Sequence, residues 1–238
     1  MRGKKTTIPE YSPRLPVMTH MFDQFYRVII NLPGFKAKES HVLLISAANI
    51  GEGASTISLN LVYSYAHDSA KRALLIDGNL RNPSLHAHFG VPREKGLTDM
   101  VEEGLNIEEI MLKINLEETD VSVHGRPTAP SFHFLPAGRP VPNPTIFFQS
   151  QAFQTRLDEL RRIFPFIIID GSPLVRYPES SLLASRTDGV ILVIEHESTS
   201  WEVAGIAKKY LQMTGTNIIG AILNRKHFFI PEQIYKYL

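Results

Sequence analysis

Five short apolar runs constrain the fold of this chain more strongly than any other feature of its sequence. None of them alternates apolar with polar residues, as a strand with one solvated face would. They span residues 42–45, 73–76, 166–169, 189–194 and 218–223. Continuous apolar strands that alternate with helices are typical of a parallel sheet covered on both faces. We therefore predict an α/β fold with a mostly parallel sheet and helices on both faces.

Helical periodicity fills much of the sequence between those runs. The clearest case is 149–163, where apolar residues recur on one side and charged residues on the other. Further elements are predicted as helices over 18–32, 54–67, 95–103 and 106–113, and as a strand at 132–135. Residues 1–17 are rich in basic residues and proline, which predicts a flexible basic arm ahead of a single domain at 18–238.

A loop of small residues follows the first apolar run, in the stretch LLISAANIGEGAST at 43–56. Backbone N–H groups at a helix start converge there and, with the helix dipole, form an anion site without any side-chain charge. The pattern is that of a phosphate-binding P-loop, in which lysine is expected at the position of Ala54. The candidate nucleotide ligands are Gly51, Glu52, Gly53, Ala54, Ser55 and Thr56.

Two aspartates end apolar runs that follow the loop. Asp77 closes the run at 73–76, and Asp170 closes the run at 166–169. Because ligands of parallel sheets bind at the carboxyl ends of the strands, we expect both carboxylates beside the loop. Oxygen ligands suit Mg²⁺, so Ser55, Asp77 and Asp170 form a candidate magnesium site next to a nucleotide.

The overall composition excludes several classes of function. A formal net charge of +1 gives no basis for nucleic-acid binding. The absence of cysteine excludes disulfides and thiolate metal sites and is compatible with a reducing cytoplasm. No apolar run approaches the roughly 18 to 20 residues that a membrane span needs. We therefore expect a cytoplasmic protein that does not span the membrane itself.

Several motifs together resemble those of the bacterial tyrosine kinases of capsule and exopolysaccharide assembly, the BY-kinases, which are P-loop NTPases. GEGAST at 51–56 is similar to the family's GEGKST, and LLIDGNLRNPSLHAHFG at 74–90 resembles its aspartate motif LLIDxDxRxPxLHxxFG. LPAGRPVPNP at 135–144 matches the pattern LPxGxxPPNP, and FIIIDGSP at 166–173 corresponds to IIIDTPP. The resemblance covers nearly the whole chain.

A last motif, NIIGAILNR at 217–225, resembles the family's NxxGxVLN, whose asparagine contacts adenine, and Asn224 stands at that position. The resemblance implies ATP or ADP with Mg²⁺ as cofactors, and Asp77, Arg81 and Asp170 as catalytic residues. It also implies an inner-membrane partner, the chain-length determinant or co-polymerase of a polysaccharide export complex, and recruitment to the inner face of the cell membrane. An intact paralogous kinase is a second expected partner.

Two departures from the family pattern fall at its chemical centre. Ala54 replaces the lysine that contacts the β- and γ-phosphates. Asn79 replaces the second aspartate of the motif, and an amide neither accepts a proton as a base nor carries a carboxylate's charge. We therefore expect weak nucleotide binding and impaired phosphoryl transfer, and hence a regulatory or scaffold subunit.

Two further departures concern self-assembly and autophosphorylation. The family's ExxRxxR motif, used in ring-like assembly, is reduced here to Gln24, Arg27 and Ile30, so we expect no ring of identical subunits. The family's C-terminal tyrosine cluster is reduced to Tyr235 and Tyr237, which remain candidate phosphoacceptors. Packing of an amphipathic tail explains these two tyrosines equally well.

Two other hypotheses stay open on the sequence. An active ATP-dependent autokinase requires another cation in place of the lysine, and Arg81 is the local candidate. A partition-type ATPase switch is the second alternative. It is disfavoured because that subgroup places an additional lysine near the start of the loop, where this chain has Ser46, Ala47 and Ala48.

Overall fold

The computed structural model of the chain describes residues 8–13, 21–33, 40–69, 72–115 and 131–225, and eight strands within them form one sheet. The strands are β1 (Glu10–Tyr11), β2 (His41–Ala47), β3 (Ala73–Asp77), β4 (Leu112–Asn115), β5 (Ser131–Leu135), β6 (Phe166–Asp170), β7 (Gly189–Glu195) and β8 (Ile218–Asn224). The helices are α1 (Phe22–Ile30), α2 (Ala54–Ser69), α3 (Leu85–Phe89), α4 (Leu97–Glu102), α5 (Ile107–Ile110), α6 (Pro144–Gln149), α7 (Gln151–Ile163), α8 (Glu179–Ala184) and α9 (Trp201–Met213).

The sheet confirms the predicted parallel arrangement. Its strand order is β1-β4-β5-β3-β6-β2-β7-β8, and only the β4–β5 pair within these described strands is antiparallel. The central strands β3, β6, β2 and β7 therefore bring their carboxyl ends to the same edge. The glycine loop after β2 and the aspartates that end β3 and β6 all lie at that edge.

Each face of the central strands packs into its own core. In β2, Leu43 and Ile45 belong to the cluster that contains α2, whereas Val42 and Leu44 belong to the cluster that contains α7. All four side chains are buried. This alternation is the period of two expected for a strand covered on both faces, so the prediction of helices on both faces is confirmed.

The helices predicted over 18–32, 106–113 and 149–163 differ in their bounds from the structure, and the first of them is Phe22–Ile30. The helix predicted over 106–113 ends at Ile110, because the following residues pair with β5 as the antiparallel strand β4. The helix predicted over 149–163 begins at Gln151 instead. Ser150 caps it, since the Ser150 hydroxyl accepts a hydrogen bond from the backbone N–H of Phe153 at 3.1 Å, and the preceding residues form α6.

Part of the predicted basic arm belongs to the sheet. Strand β1 lies parallel to β4, and the Glu10 carboxylate accepts hydrogen bonds from Lys113 Nζ at 3.1 Å and Asn115 Nδ2 at 2.9 Å. Apart from 8–13, the residues predicted to form the arm lie outside the described residues. Among the helices described, none has the length and apolar character needed to cross a membrane.

Candidate nucleotide-binding site

The loop between β2 and α2 has the backbone geometry of an anion site. Gly51 and Gly53 have φ values of 86° and 91°, in the left-handed region that favours glycine. A Cβ atom at Gly53 would also clash with Nδ2 of Asn224 unless that side chain moved. Helix α2 begins directly afterwards at Ala54, so the free N–H groups of its first turn lie at the loop.

Glu52 fixes the shape of this loop. Its carboxylate is buried and accepts the backbone N–H of Asn49 at 2.9 Å and the hydroxyl of Thr199, which precedes α9. Its carbonyl oxygen accepts a hydrogen bond from Nδ2 of Asn224 at 2.8 Å. The loop is therefore tied to the ends of β7 and β8, and Asn224, the residue expected to contact adenine, lies against it.

The structure brings Asp77 and Asp170 together at the ends of β3 and β6, where the two residues are paired in register. Both are buried. Oδ2 of Asp170 accepts the hydroxyl of Ser55 at 2.6 Å, and Oδ1 accepts the hydroxyl of Ser58 at 3.0 Å. Asp77 instead accepts the backbone N–H of Leu85 at 3.2 Å. Sequence reasoning missed Ser58, although its position three residues after Ser55 places both hydroxyls on one face of α2.

Burial keeps both carboxyl groups from ionising easily. Burial first, and then the nearby charge of Asp170, raise the pKa of Asp77 to about 7. Burial raises the pKa of Asp170 to about 6, although the hydrogen bonds from Ser55 and Ser58 favour its charged form. Two carboxylates that repel each other in a buried site gain stability from a cation beside them.

The oxygen donors at this position fit magnesium. Ser55, Asp77 and Asp170 are the residues that would hold it, and Mg²⁺ prefers oxygen ligands from few side chains together with phosphate and water. Within the described ranges, no group of three or more His, Asp and Glu side chains forms a metal site by itself. Magnesium here would therefore depend on a nucleotide, whose charge it would partly neutralise.

Asn79, at the position of the family's second carboxylate, is held by two hydrogen bonds. Its Oδ1 accepts the hydroxyl of Ser172 at 2.8 Å and the backbone N–H of Asn82 at 3.2 Å. The carbonyl oxygen of Ser172 in turn accepts the hydroxyls of Ser46 and Ser180, each at 2.6 Å. An amide oxygen has two lone pairs, so the acceptor capacity of Asn79 is filled by the protein.

Arg81, assigned a catalytic role by the family resemblance, is paired within the protein. Its Nε donates to Oε1 of Glu179 at 2.6 Å, and the Glu179 side chain is 1% exposed. Arg81 does not line the cavity beside the loop. Its charge therefore offsets a buried carboxylate.

A cavity of about 390 Å³ opens between the glycine loop and the segment that joins β6 to α8. Its volume is within the range of small-molecule sites. The lining includes Gly51, Gly53, Ala54, Ser55, Asn79 and Arg176. Thr56 lies outside it, in the first turn of α2. Asp77, Asp170 and Asn224 are likewise not among the lining residues. Left-handed glycines and a helix start at one cavity fit the phosphate chain of a nucleotide.

The residues predicted for assembly and modification lie elsewhere. Gln24, Arg27 and Ile30 are exposed on one side of α1. Tyr235 and Tyr237 lie outside the described residues, so their role as phosphoacceptors stays a prediction.

Comparisons with known proteins agree with this geometry, although no family model matches the chain. The putative tyrosine-protein kinase CapB of Staphylococcus aureus is 30% identical over 227 residues, which cover 94% of this chain and 93% of CapB. The kinase domain of VpsO superimposes with a TM-score of 0.70 at 28% identity, covering 87% of this chain and 97% of that domain. The chimerical protein CapA2B2 superimposes with a TM-score of 0.74 at 22% identity, covering 93% and 95% of the two chains, which shows a shared fold.

The sequence similarity and the site lead to one assignment. The similarity to CapB extends over more than nine tenths of both chains. The aspartates in register at the ends of β3 and β6, and the glycine loop before α2, are the parts of a P-loop NTPase site. This chain therefore belongs to the bacterial tyrosine kinases, the BY-kinase family of P-loop NTPases.

Proposed function

We propose that this protein regulates the synthesis and export of an exopolysaccharide or capsule as a catalytically impaired member of its family. It binds Mg·ATP or Mg·ADP weakly, transfers no phosphoryl group at a useful rate, and acts by docking to an inner-membrane co-polymerase. The observation that carries this function is the state of Asn79, an amide whose oxygen is occupied by Ser172 and Asn82 at the position of a family carboxylate.

Asn79 cannot take the proton that a tyrosine hydroxyl loses when it attacks a phosphoryl group. A positioned general base contributes about 10²- to 10⁴-fold to such a step, and a neutral amide is no base at ordinary pH. The two remaining carboxylates are engaged otherwise, since Asp77 accepts two backbone N–H groups and Asp170 accepts two serine hydroxyls. Their position favours metal binding over proton abstraction from a second substrate.

Ala54 removes a second contribution to catalysis. A charged donor aimed at the transferred phosphoryl group is worth on the order of 10² to 10³ in rate, and about 1.5 to 3 kcal/mol in binding. Arg81 does not compensate, because it is paired with the buried Glu179. We therefore expect chemistry to lose about 10⁴-fold or more, whereas binding loses far less.

The similarity to CapB, VpsO and the chimerical protein CapA2B2 supports a role beside a membrane partner. The exposed side of α1 carries Gln24 and Ile30 where the family motif has an acid and a second arginine. Salt bridges between identical subunits are therefore disfavoured, and docking to a different protein is the remaining mode of assembly. We propose a cytoplasmic protein that this partner recruits to the inner face of the membrane.

The direct test is transfer of radiolabelled phosphate from ATP in the presence of Mg²⁺, with Tyr235 and Tyr237 monitored by mass spectrometry. We expect no transfer above a control without protein, together with calorimetrically measurable binding of Mg·ADP. Phosphorylation of either tyrosine at a rate typical of kinases would refute the impairment. Failure to bind ADP at millimolar concentrations would refute nucleotide binding and leave only a scaffold role.

The double substitution Ala54→Lys/Asn79→Asp tests whether these two positions cause the impairment. We expect about tenfold or greater gain in ATP affinity and detectable hydrolysis, because the loop, Ser55 and Asp170 are already in place. Ala54→Met/Asn79→Asp is the matched control, since methionine adds length without charge. Equal affinity and hydrolysis in the two variants would show that the missing lysine charge is not the cause.

A further inference from the structure

An arginine from outside the glycine loop lines the cavity beside it. Arg176 lies in the segment between β6 and α8, and it is the basic residue among the described side chains that line this cavity. Its side chain is exposed, and its contact with the rest of the described protein is with the ring of Tyr177, whose centroid lies 5.6 Å from the guanidinium carbon. Nothing in the sequence motifs indicated a functional role for this residue.

Among the ion pairs of the described residues, none involves Arg176. Arg81 also lies over the ring of Tyr177, at 5.9 Å, but its charge is balanced by the buried carboxylate of Glu179. The carboxylate in the cavity lining belongs to Glu52, and it is occupied by the backbone N–H of Asn49 and the hydroxyl of Thr199. Of the two arginines beside Tyr177, only Arg176 is therefore available to an anion that enters the cavity.

We infer that Arg176 is the phosphate-binding cation of this pocket, so that in ground-state nucleotide binding it contacts the phosphates that a lysine at position 54 would otherwise contact. This inference rests on the proposed function, because it assigns a residue to the same nucleotide site. Guanidinium groups bind phosphate through two parallel hydrogen bonds, and the start of α2 supplies N–H groups at the same cavity. The ligand class is a nucleoside diphosphate or triphosphate, bound between the helix start and Arg176.

Contact with the outer phosphates has a consequence for selectivity. A nucleoside monophosphate lacks the β- and γ-phosphates, so it gains little from Arg176. We therefore expect Arg176 to contribute to the affinity for ADP and ATP and not to the affinity for AMP.

Calorimetric titration of the full-length protein with AMP, ADP and ATP in the presence of Mg²⁺ tests this inference. We expect Arg176→Ala to weaken ADP and ATP binding by about 10- to 100-fold, the range for losing a charged hydrogen bond, and to leave AMP binding within about twofold. Arg162→Ala is the matched control, because Arg162 is an exposed arginine of α7 outside the cavity. It removes the same net charge and should leave all three affinities unchanged.

The outcomes separate this inference from the proposed function. If the unmodified protein binds neither ADP nor ATP, nucleotide binding itself is refuted and the role of Arg176 falls with it. If the protein binds ADP and Arg176→Ala binds it equally well, only the role of Arg176 is refuted. An equal loss for AMP, ADP and ATP would refute a contact with the outer phosphates.

A double-mutant cycle with Ala54→Lys provides a second, independent readout. Two cations that serve the same phosphates compensate each other, so their effects on affinity are not additive. We expect Ala54→Lys to raise ADP affinity by a larger factor in the Arg176→Ala background than in the unmodified protein. Equal factors in the two backgrounds would show that Arg176 does not serve the phosphates that the lysine would contact.

Discussion

The buried carboxyl group of Asp77 allows a sharp test of the electrostatics of this site. Its pKa is raised to about 7, by burial and then by the charge of Asp170, from an ordinary value of 3.8. The substitution Asp77→Asn replaces it by a neutral group of the same shape, which resembles the protonated acid. At low pH the two proteins should therefore have similar free energies of unfolding, and at neutral pH the variant should be the more stable one.

The sign and size of this effect follow from proton linkage. Between pH 4 and pH 7 the unfolded chain has lost the Asp77 proton while the folded protein still holds it, so stability falls as pH rises. Each unit of pKa difference corresponds to about 1.4 kcal/mol. The stability difference between Asp77→Asn and the unmodified protein should then grow by about 2 kcal/mol from pH 5 to pH 7, where Asp77 is half ionised in the folded protein, and change little above pH 8.

A second buried group, His133, changes the free energy of unfolding with pH in the opposite direction. Its contribution therefore has to cancel in the comparison. Burial lowers the pKa of His133 to about 4, so its contribution increases stability as pH rises from about 4 to 6.5. The absolute stability curve therefore mixes Asp77 with His133 and with Asp170, whose raised pKa acts in the same direction as that of Asp77. The difference between two variants that share His133 isolates Asp77.

The measurement is urea unfolding at pH 5, 6, 7 and 8, monitored by far-ultraviolet circular dichroism. Fluorescence is the poorer probe, because Trp201 is the single tryptophan and is already 79% exposed. Asp158→Asn serves as the control, since the Asp158 side chain on α7 is 48% exposed and should give a difference that hardly varies with pH. A difference for Asp77→Asn that is flat, or that shrinks toward pH 8, would refute a carboxyl group held protonated by burial.

Two further perturbations test the loop and its neighbouring ion pair. Gly53→Ala should destabilise the protein by roughly 2 kcal/mol, or about 5 °C in Tm, because φ is 91° and the new Cβ meets Asn224. Adding Asn224→Ala should relieve the clash and leave the backbone strain. Differential scanning calorimetry measures both changes in Tm. Arg81→Ala should lower the free energy of unfolding in urea by roughly 2 kcal/mol. The loss is smaller than for a fully buried ion pair because the Arg81 side chain is 40% exposed. Adding Glu179→Gln to the same protein should recover part of this free energy. Absence of rescue in either double variant would contradict the corresponding contact.

The centre of the site could be predicted from local patterns in the sequence. β2, β3 and β6 are uninterrupted apolar runs, and the parallel arrangement that such runs indicate brings Asp77 and Asp170 to the same sheet edge. The glycines at 51 and 53 predicted a sharp turn between strand and helix, and their left-handed φ values confirm it. These features depend on neighbouring residues, so they can be derived before any tertiary contact is known.

The rest of the structure depends on residues that are far apart in the sequence. The helix predicted over 106–113 overlaps the first two residues of β4, because pairing across the sheet, with Leu112 opposite Phe134, decides their conformation. The pair of Arg81 and Glu179 joins residues 98 positions apart, so nothing in the sequence indicated that Arg81 is paired with a buried carboxylate. Arg176 reaches the cavity only through the folded segment between β6 and α8, for which the sequence contained no local signal.

The two residues that depart from the family at its chemical centre are electrostatically consistent with each other. A loop without lysine has one positive charge fewer to balance the buried carboxylates at its edge. Asp77 and Asp170 already have raised pKa values, so a third carboxylate at position 79 would raise them further and destabilise their charged forms. Asn79 avoids this repulsion and gives the Ser172 hydroxyl a neutral acceptor at 2.8 Å. An asparagine in place of the aspartate therefore avoids charge repulsion in the folded protein and at the same time removes a proton acceptor. The proposed impairment of catalysis requires no disruption of the fold around Asn79.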